Sequence, residues 1–318
     1  MLRLSTGDFA AMTPLEDHAV AWDDAVEITY LLYQRFRYDY PGPIADLHHR
    51  LVVVPRDNHG DQERIAHRLD VEPAASEHAD YDAFGNSVVT FFARRIERSI
   101  EFAHWSLVIR KRDLGHMEPD ELASSDYRAP TALTAADAAL RAAARTLRAQ
   151  HSDPHELAAA IVAFVYTEMS YVAGATDVET TAAEAYARRA GVCQDFAHVA
   201  LALARRCGLA ARYVSGHLVG EGGTHAWVEF FLPARACFDV VAYDPTHDRR
   251  ITMKYVVISV GRDYADIAPT SGVFTAPYRG ELTSTSKRVG ATRVVYADGS
   301  VVEVPDDRVP FASNGHVQ

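Results

Sequence analysis

Between Val26 and Ile109 apolar and polar positions follow the period of strands rather than helices. Val26, Ile28, Tyr30 and Leu32 alternate with Glu27 and Thr29, as in a strand with one buried face. Apolar runs recur at residues 50–54, from Ile65 to Val71, from Ser87 to Phe92 and from Ile100 to Ile109. Between two of them lies Tyr81-Asp82-Ala83-Phe84-Gly85-Asn86, a turn, because Gly and Asn tolerate positive φ. The pattern predicts a β-sandwich or related sheet domain over residues 1–115. No chemistry is evident in it, and its expected roles are to pack against a second domain or to shape a cleft. Lys111 to Pro130 is polar and aperiodic and contains Pro119 and Pro130, which makes residues 116–130 the expected linker.

Beyond the linker the period becomes helical. Thr134 is the expected cap of an Ala-rich helix running to about Arg148. Asp153-Pro154-His155-Glu156 supplies an N-cap, a first-position proline and a capping acid, and Thr181-Ala182-Ala183-Glu184 repeats the capping box for a helix expected to end at Gly191. A fourth helix starts at Cys193 and stops at Cys207-Gly208, with Phe196, Val199, Ala200 and Leu203 on one face. After Gly208 the strand period returns, over 212–219, 224–232, 236–243 and 253–260. Helices first and antiparallel strands second give an α+β core over residues 131–283. Asp298-Gly299 signals a last hairpin from Arg293 to Val304, inside a C-terminal extension of residues 284–318.

Composition narrows the function. Acidic residues number 43 against 32 Lys plus Arg, a formal net charge of -11, which argues against a nucleic-acid partner. Met1 to Pro14 carries Asp8 and no long apolar run, and no later stretch is long enough to span a bilayer. A cytoplasmic protein without a membrane partner is therefore expected. The three cysteines, Cys193, Cys207 and Cys237, have no C-x-x-C spacing, which disfavours a disulfide framework or a zinc knuckle.

Candidate chemistry centres on Gly191-Val192-Cys193-Gln194-Asp195-Phe196. A thiol in the first turn of a helix sits among backbone N–H groups that lack intrahelical partners, where a thiolate is stabilised. Downstream, Thr224-His225-Ala226-Trp227-Val228-Glu229 offers a base on a strand, and Tyr243-Asp244-Pro245-Thr246 an acid at the end of the next. Cys193, His225 and Asp244 thus stand in the chain order of a papain-like acyl-transfer triad. His225 would pair with the thiolate, and Asp244 would fix the imidazole tautomer. Asp239 competes for that orienting role. The Cys193 backbone N–H is one donor for an oxyanion. Trp227 and Glu229 share the His225 face of their strand, making Trp227 either a cleft wall or a packing residue. Asp195 reads as a helix cap ahead of a substrate contact, and Cys207, Cys237, His198 and His217 as packing or surface residues, with His217 near enough to the cleft to touch substrate. His48-His49 and His225 form no metal-ligand set, and no acidic loop has Ca²⁺-ligand spacing, so neither metal nor cofactor is expected.

Six stretches carry a resemblance to a known family: residues 82–86, 191–197, 211–216, 225–229, 244–246 and 261–266. Together and in this order they resemble the bacterial transglutaminase-like proteins of the papain-like cysteine protease superfamily, with that family's bacterial N-terminal region, from about residue 24 to about residue 283. The resemblance implies a cofactor-independent cysteine enzyme that attacks an amide through a thioester. Hydrolysis, by a peptidase or amidase acting on a protein or peptide, is favoured over protein-glutamine cross-linking, and a non-catalytic binding or scaffold protein is the rival class. It singles out Asp244 over Asp239 by the Asp-Pro-Thr context, and Tyr171, in Met169-Ser170-Tyr171-Val172, as a second oxyanion or substrate contact. The chain departs from the family at Val240, where a tryptophan is usual, and at His247, where a small amide is common.

Overall fold

Residues 12–112, 125–234 and 238–304 are described in the computed structural model. The alternating N-terminal stretches form β1 (Ala25–Asp39), β2 (Ile44–Leu51), β3 (Asn58–His59), β4 (Gln62–Glu72), β5 (Ser76–Tyr81), β6 (Ser87–Ile96) and β7 (Ser99–Lys111). Four helices follow: α1 (Ala138–Gln150), α2 (Pro154–Glu168), α3 (Ala182–Arg188) and α4 (Cys193–Arg206). The short β8 (Ser170–Tyr171) and β9 (Ala190–Gly191) lie between them. The second β-rich run gives β10 (Ala210–Leu218), β11 (His225–Pro233), β12 (Phe238–Asp244), β13 (Arg249–Arg250) and β14 (Tyr255–Gly261). β15 (Thr270–Thr275), β16 (Glu281–Tyr296) and β17 (Val301–Glu303) complete the chain. The fold is α+β, a sheet-rich N-terminal region followed by helices packed on a sheet.

Local signals explain most boundaries. Asp153 accepts from the His155 and Glu156 N–H groups with Pro154 behind it, and Thr181 with Glu184 forms the reciprocal capping box of α3. Two expectations are corrected. α1 is capped by Asp137, which accepts from the Leu140 N–H, because the Thr134 hydroxyl is buried and taken by Thr131 and Arg205. α3 stops at Arg188, not Gly191: Arg189 turns to φ 54°, and Ala190–Gly191 leaves to pair in parallel with Ser170–Tyr171.

α4 is the centre of the helical region. The sequence shows one apolar face, yet every residue from Gln194 to Arg205 is buried. α1, α2 and α3 pack on it from one side, and β10 and β11 from the other. Ala197, Ala200, Ala202 and Ala204 keep the helix slim enough for this close approach. Its supporting sheet runs β13-β12-β11-β10-β14, antiparallel throughout.

The chain then returns to where it began. β16 pairs with β1 along its length to make a six-stranded sheet, β17-β16-β1-β7-β4-β3, and β15 pairs with β2 in the order β15-β2-β6-β5. The expected Asp298-Gly299 hairpin is present, with Gly299 at φ 84°. Two amide side chains of the N-terminal region dock on the backbone of β14: Gln62 donates to the Val257 carbonyl and accepts its N–H, and Asn86 does the same with Val260. Of the expected linker, residues 116–124 lie outside the described residues. Tyr127 just after them is buried against Phe231, with their rings stacked 5.3 Å apart.

Candidate functional site

Cys193 is the first residue of α4, half-buried, with a free thiol. Asp195 holds the helix start in place. One of its carboxylate oxygens accepts from the Val192 N–H at 2.7 Å and from the Thr176 hydroxyl at 2.6 Å, which supports the capping role over a substrate contact. Gly191 is needed for this closure, since a Cβ there would stand 2.5 Å from the same carboxylate.

His225 opens β11 opposite Gly216 of β10, and Asp244 closes β12. At Gly216 a Cβ would lie 2.1 Å from the Val256 carbonyl oxygen and 2.5 Å from the Trp227 ring, so only glycine lets these strands and the indole close behind the histidine. His225 Nε2 and Asp244 Oδ2 are 2.7 Å apart, both buried. The same Oδ2 accepts from the Tyr255 hydroxyl and meets His247 Nδ1, each at 2.7 Å, while the Thr246 N–H bonds Oδ1. Glu221 reaches both imidazoles, 3.4 Å from His225 Nδ1 and 3.4 Å from His247 Nε2.

The charges reinforce one another. Burial alone would lower the His225 pKa, but the hydrogen bond to Asp244 and the hydrogen bond and charge of Cys193 carry it up to about 10. Burial would raise Asp244, yet hydrogen bonds from His225, Tyr255 and His247 hold it far below the usual carboxylate range. Nε2 of His225 is committed to Asp244, and Nδ1, 3.4 Å from Glu221, is the ring nitrogen on the other side.

Cys193 and His225 line one cavity of about 390 Å³, together with Tyr171, Tyr213, Thr270 and Lys287. Larger hollows of about 490, 590 and 670 Å³ on the N-terminal sheets contain no cysteine. Tyr171 is exposed at the cavity edge. Trp227 is wholly buried, stacks on His225 and meets Tyr255 edge-on, and does not line the cavity; it packs behind the imidazole. Asp239 is exposed at the far end of β12, opposite Leu232. Cys207 is buried against the Ala144 carbonyl, and burial raises its thiol pKa. His198 accepts from the Tyr264 N–H and His217 bonds the Gly223 carbonyl, both deep in the protein. Cys237 lies outside the described residues.

The expected enzyme, a cysteine peptidase or amidase run by a Cys193–His225–Asp244 triad, is corrected by this geometry. The tight cluster is His225–Asp244–His247, whose ligand atoms all lie within 4.8 Å of one another, and no cysteine belongs to it. The physical reason is the turn after β12: the His247 N–H bonds the Asp244 carbonyl, which folds the second imidazole onto the same carboxylate oxygen. These three residues could also hold a metal ion, a set the sequence reading missed. Asp244 and His247, three residues apart across Pro245-Thr246, were its only signal, and Tyr255 and Lys287 gave none.

The comparisons agree with the architecture. Residues 141–244 match the transglutaminase-like superfamily, and residues 30–108 match the bacterial transglutaminase-like N-terminal region. An uncharacterised protein of Mycobacterium tuberculosis is 28% identical over 316 residues, covering 89% of this chain and 93% of its own. One of Mycobacterium leprae is 29% identical over 262 residues, covering 75% and 90%. A solved Cytophaga hutchinsonii chain, named as a candidate cysteine protease, shares the fold at a TM-score of 0.69 and 20% identity, over 83% of this chain and 91% of that one. The cytoplasmic placement is also corrected. The periplasmic domain of TgpA from Pseudomonas aeruginosa aligns over 70% of this chain and 89% of its own at 16% identity and a TM-score of 0.33. The cytoplasmic expectation is withdrawn, because the lack of a long apolar helix on which it rested does not decide between compartments. Among the described residues no helix is long and apolar enough to cross a membrane. Matched in order through both halves, the chain belongs to the transglutaminase-like superfamily and carries a bacterial transglutaminase-like N-terminal region.

Proposed function

We propose that Cys193 performs thiol-dependent acyl transfer, taking the acyl group of a protein or peptide amide as a thioester. The observation that carries this reading is the shared cavity: a thiol on a helix N-terminus and a histidine whose far nitrogen is held by a buried carboxylate face the same space. The thiolate attacks the carbonyl carbon, and His225 delivers its proton to the nitrogen that leaves. The thioester is then opened by water or by an amine, with His225 taking the acceptor's proton. Asp244 bonds His225 and also His247 and Tyr255, which fixes the imidazole in the cavity wall. The Cys193 N–H is suited to hold the tetrahedral oxygen, with Tyr171 beside the cavity mouth.

The test is mass spectrometry of wild type and Cys193→Ala after incubation with glutamine-containing peptides, with and without a primary amine. The expected result is a cleaved, deamidated or amine-bearing product that wild type makes and Cys193→Ala does not. Products formed equally by both proteins, or a complete absence of product together with no acyl adduct on Cys193, would contradict the proposal.

A further inference from the structure

Lys287 lies on β16, outside both matched regions, and lines the cavity that holds Cys193 and His225. It is half-buried, and among the described residues its ammonium meets the Thr224 hydroxyl at 3.4 Å and the face of Phe36, 5.4 Å from the ring centroid. Three other basic side chains on the same sheet are paired. Arg35 holds Glu101, Arg37 holds Asp39 and Arg110 holds Asp61. For Lys287 no carboxylate lies within ion-pairing distance among the described residues, and no Asp or Glu lines the cavity.

A half-buried cation with no carboxylate partner among the described residues is desolvated at a cost that an ion pair would offset. In a chain of net charge -11, with 43 acidic residues to supply partners, leaving this one unpaired is a costly arrangement unless a ligand completes it. Burial lowers its pKa, and the charge of Cys193 opposes that shift, which sets the ammonium within electrostatic reach of the thiol. The hydroxyls of Thr224, Thr270 and Thr285 surround the same space and can donate to an anion.

We infer that Lys287 is a specificity residue that binds a carboxylate of the acyl donor, so that the site selects acyl donors carrying a carboxylate close to the reacting carbonyl. This rests on the acyl-transfer reading of Cys193. The lysine stays an ammonium throughout and exchanges no proton with the thiol; it places the donor by an ion pair strengthened by the shielded setting.

Two alkylating reagents separate the inference from the reading beneath it. Iodoacetate carries a carboxylate next to its reactive carbon, and iodoacetamide is its neutral counterpart. Rates of Cys193 modification by each, followed by peptide mass spectrometry in wild type, Lys287→Gln, Lys287→Met and Lys287→Arg, give a ratio that reads Lys287 whatever the reactivity of the thiol. Loss of one charge-assisted contact should lower the iodoacetate-to-iodoacetamide ratio about tenfold in Lys287→Gln and Lys287→Met, while Lys287→Arg keeps most of it. Having two neutral replacements guards against one that fails to fold, checked by near-ultraviolet circular dichroism. An unchanged ratio, or equal slowing by both reagents, overturns the inference, because the lysine would then act on the thiol or on nothing. The iodoacetamide rate alone, compared with that of Cys207, judges the acyl-transfer reading separately.

Discussion

Asp244 decides the behaviour of the site at the scale of single residues. One buried oxygen serves His225, His247 and Tyr255, so its charge must persist for any of the three to stay in place. The pH dependence follows from the two shifts. His225, raised from 6.5 to about 10, adds stability that is fully present below its ordinary pKa and is lost as the pH rises through about 10. Asp244, lowered from 3.8, adds stability present above its ordinary value and lost as the pH falls towards the depressed one. Urea unfolding of wild type and Asp244→Asn should therefore differ most between about pH 4 and 6.5 and converge towards both extremes. A difference that grows steadily up to pH 10 would refute the assignment. The places of Cys193, His225 and Asp244 at element ends were legible in the sequence, because helix and strand periods change there. His247 was not, since only the folded turn brings it back onto Asp244.

Among elements, the helix starts at Asp153 and Thr181 could be read because their caps are local. α1 could not, because the Thr134 hydroxyl that looked like a cap is taken by Arg205, 71 residues away. The central burial of α4 was expected from its apolar face, but that its polar residues Gln194, Asp195, His198 and Arg205 are buried too could not be read locally, because their partners come from distant elements. The docking of the 82–86 turn is a long-range feature of the same kind. Asn86 donates to Asp82 and to the Val260 carbonyl while accepting the Val260 N–H, so Asn86→Ala leaves two buried backbone groups of β14 without partners. At about 1–3 kcal/mol for each such group, the loss should be about 2–6 kcal/mol in urea unfolding. A change below about 0.5 kcal/mol, the size of an ordinary surface substitution, would show that the amide does not hold the two regions together.

The whole molecule closes on itself in a way no local pattern announces. The α+β class and the sheet-rich N-terminal region follow from the change of period along the sequence. That β15 and β16 return to the N-terminal sheets does not, since pairing between the two ends of the chain leaves no local sequence signal. The consequence is functional: the cavity takes Cys193 from α4, His225 from β11 and Lys287 from β16, so both sheets and the helix must be assembled before it exists. The central claim is that this assembly activates one thiol. Alkylation by iodoacetamide at pH 6, followed at each cysteine in wild type and His225→Ala, tests it most directly. Cys193 should be modified faster than Cys207 in wild type, and His225→Ala should slow Cys193 alone. Equal rates at the two cysteines, or a Cys193 rate indifferent to His225, would contradict the account.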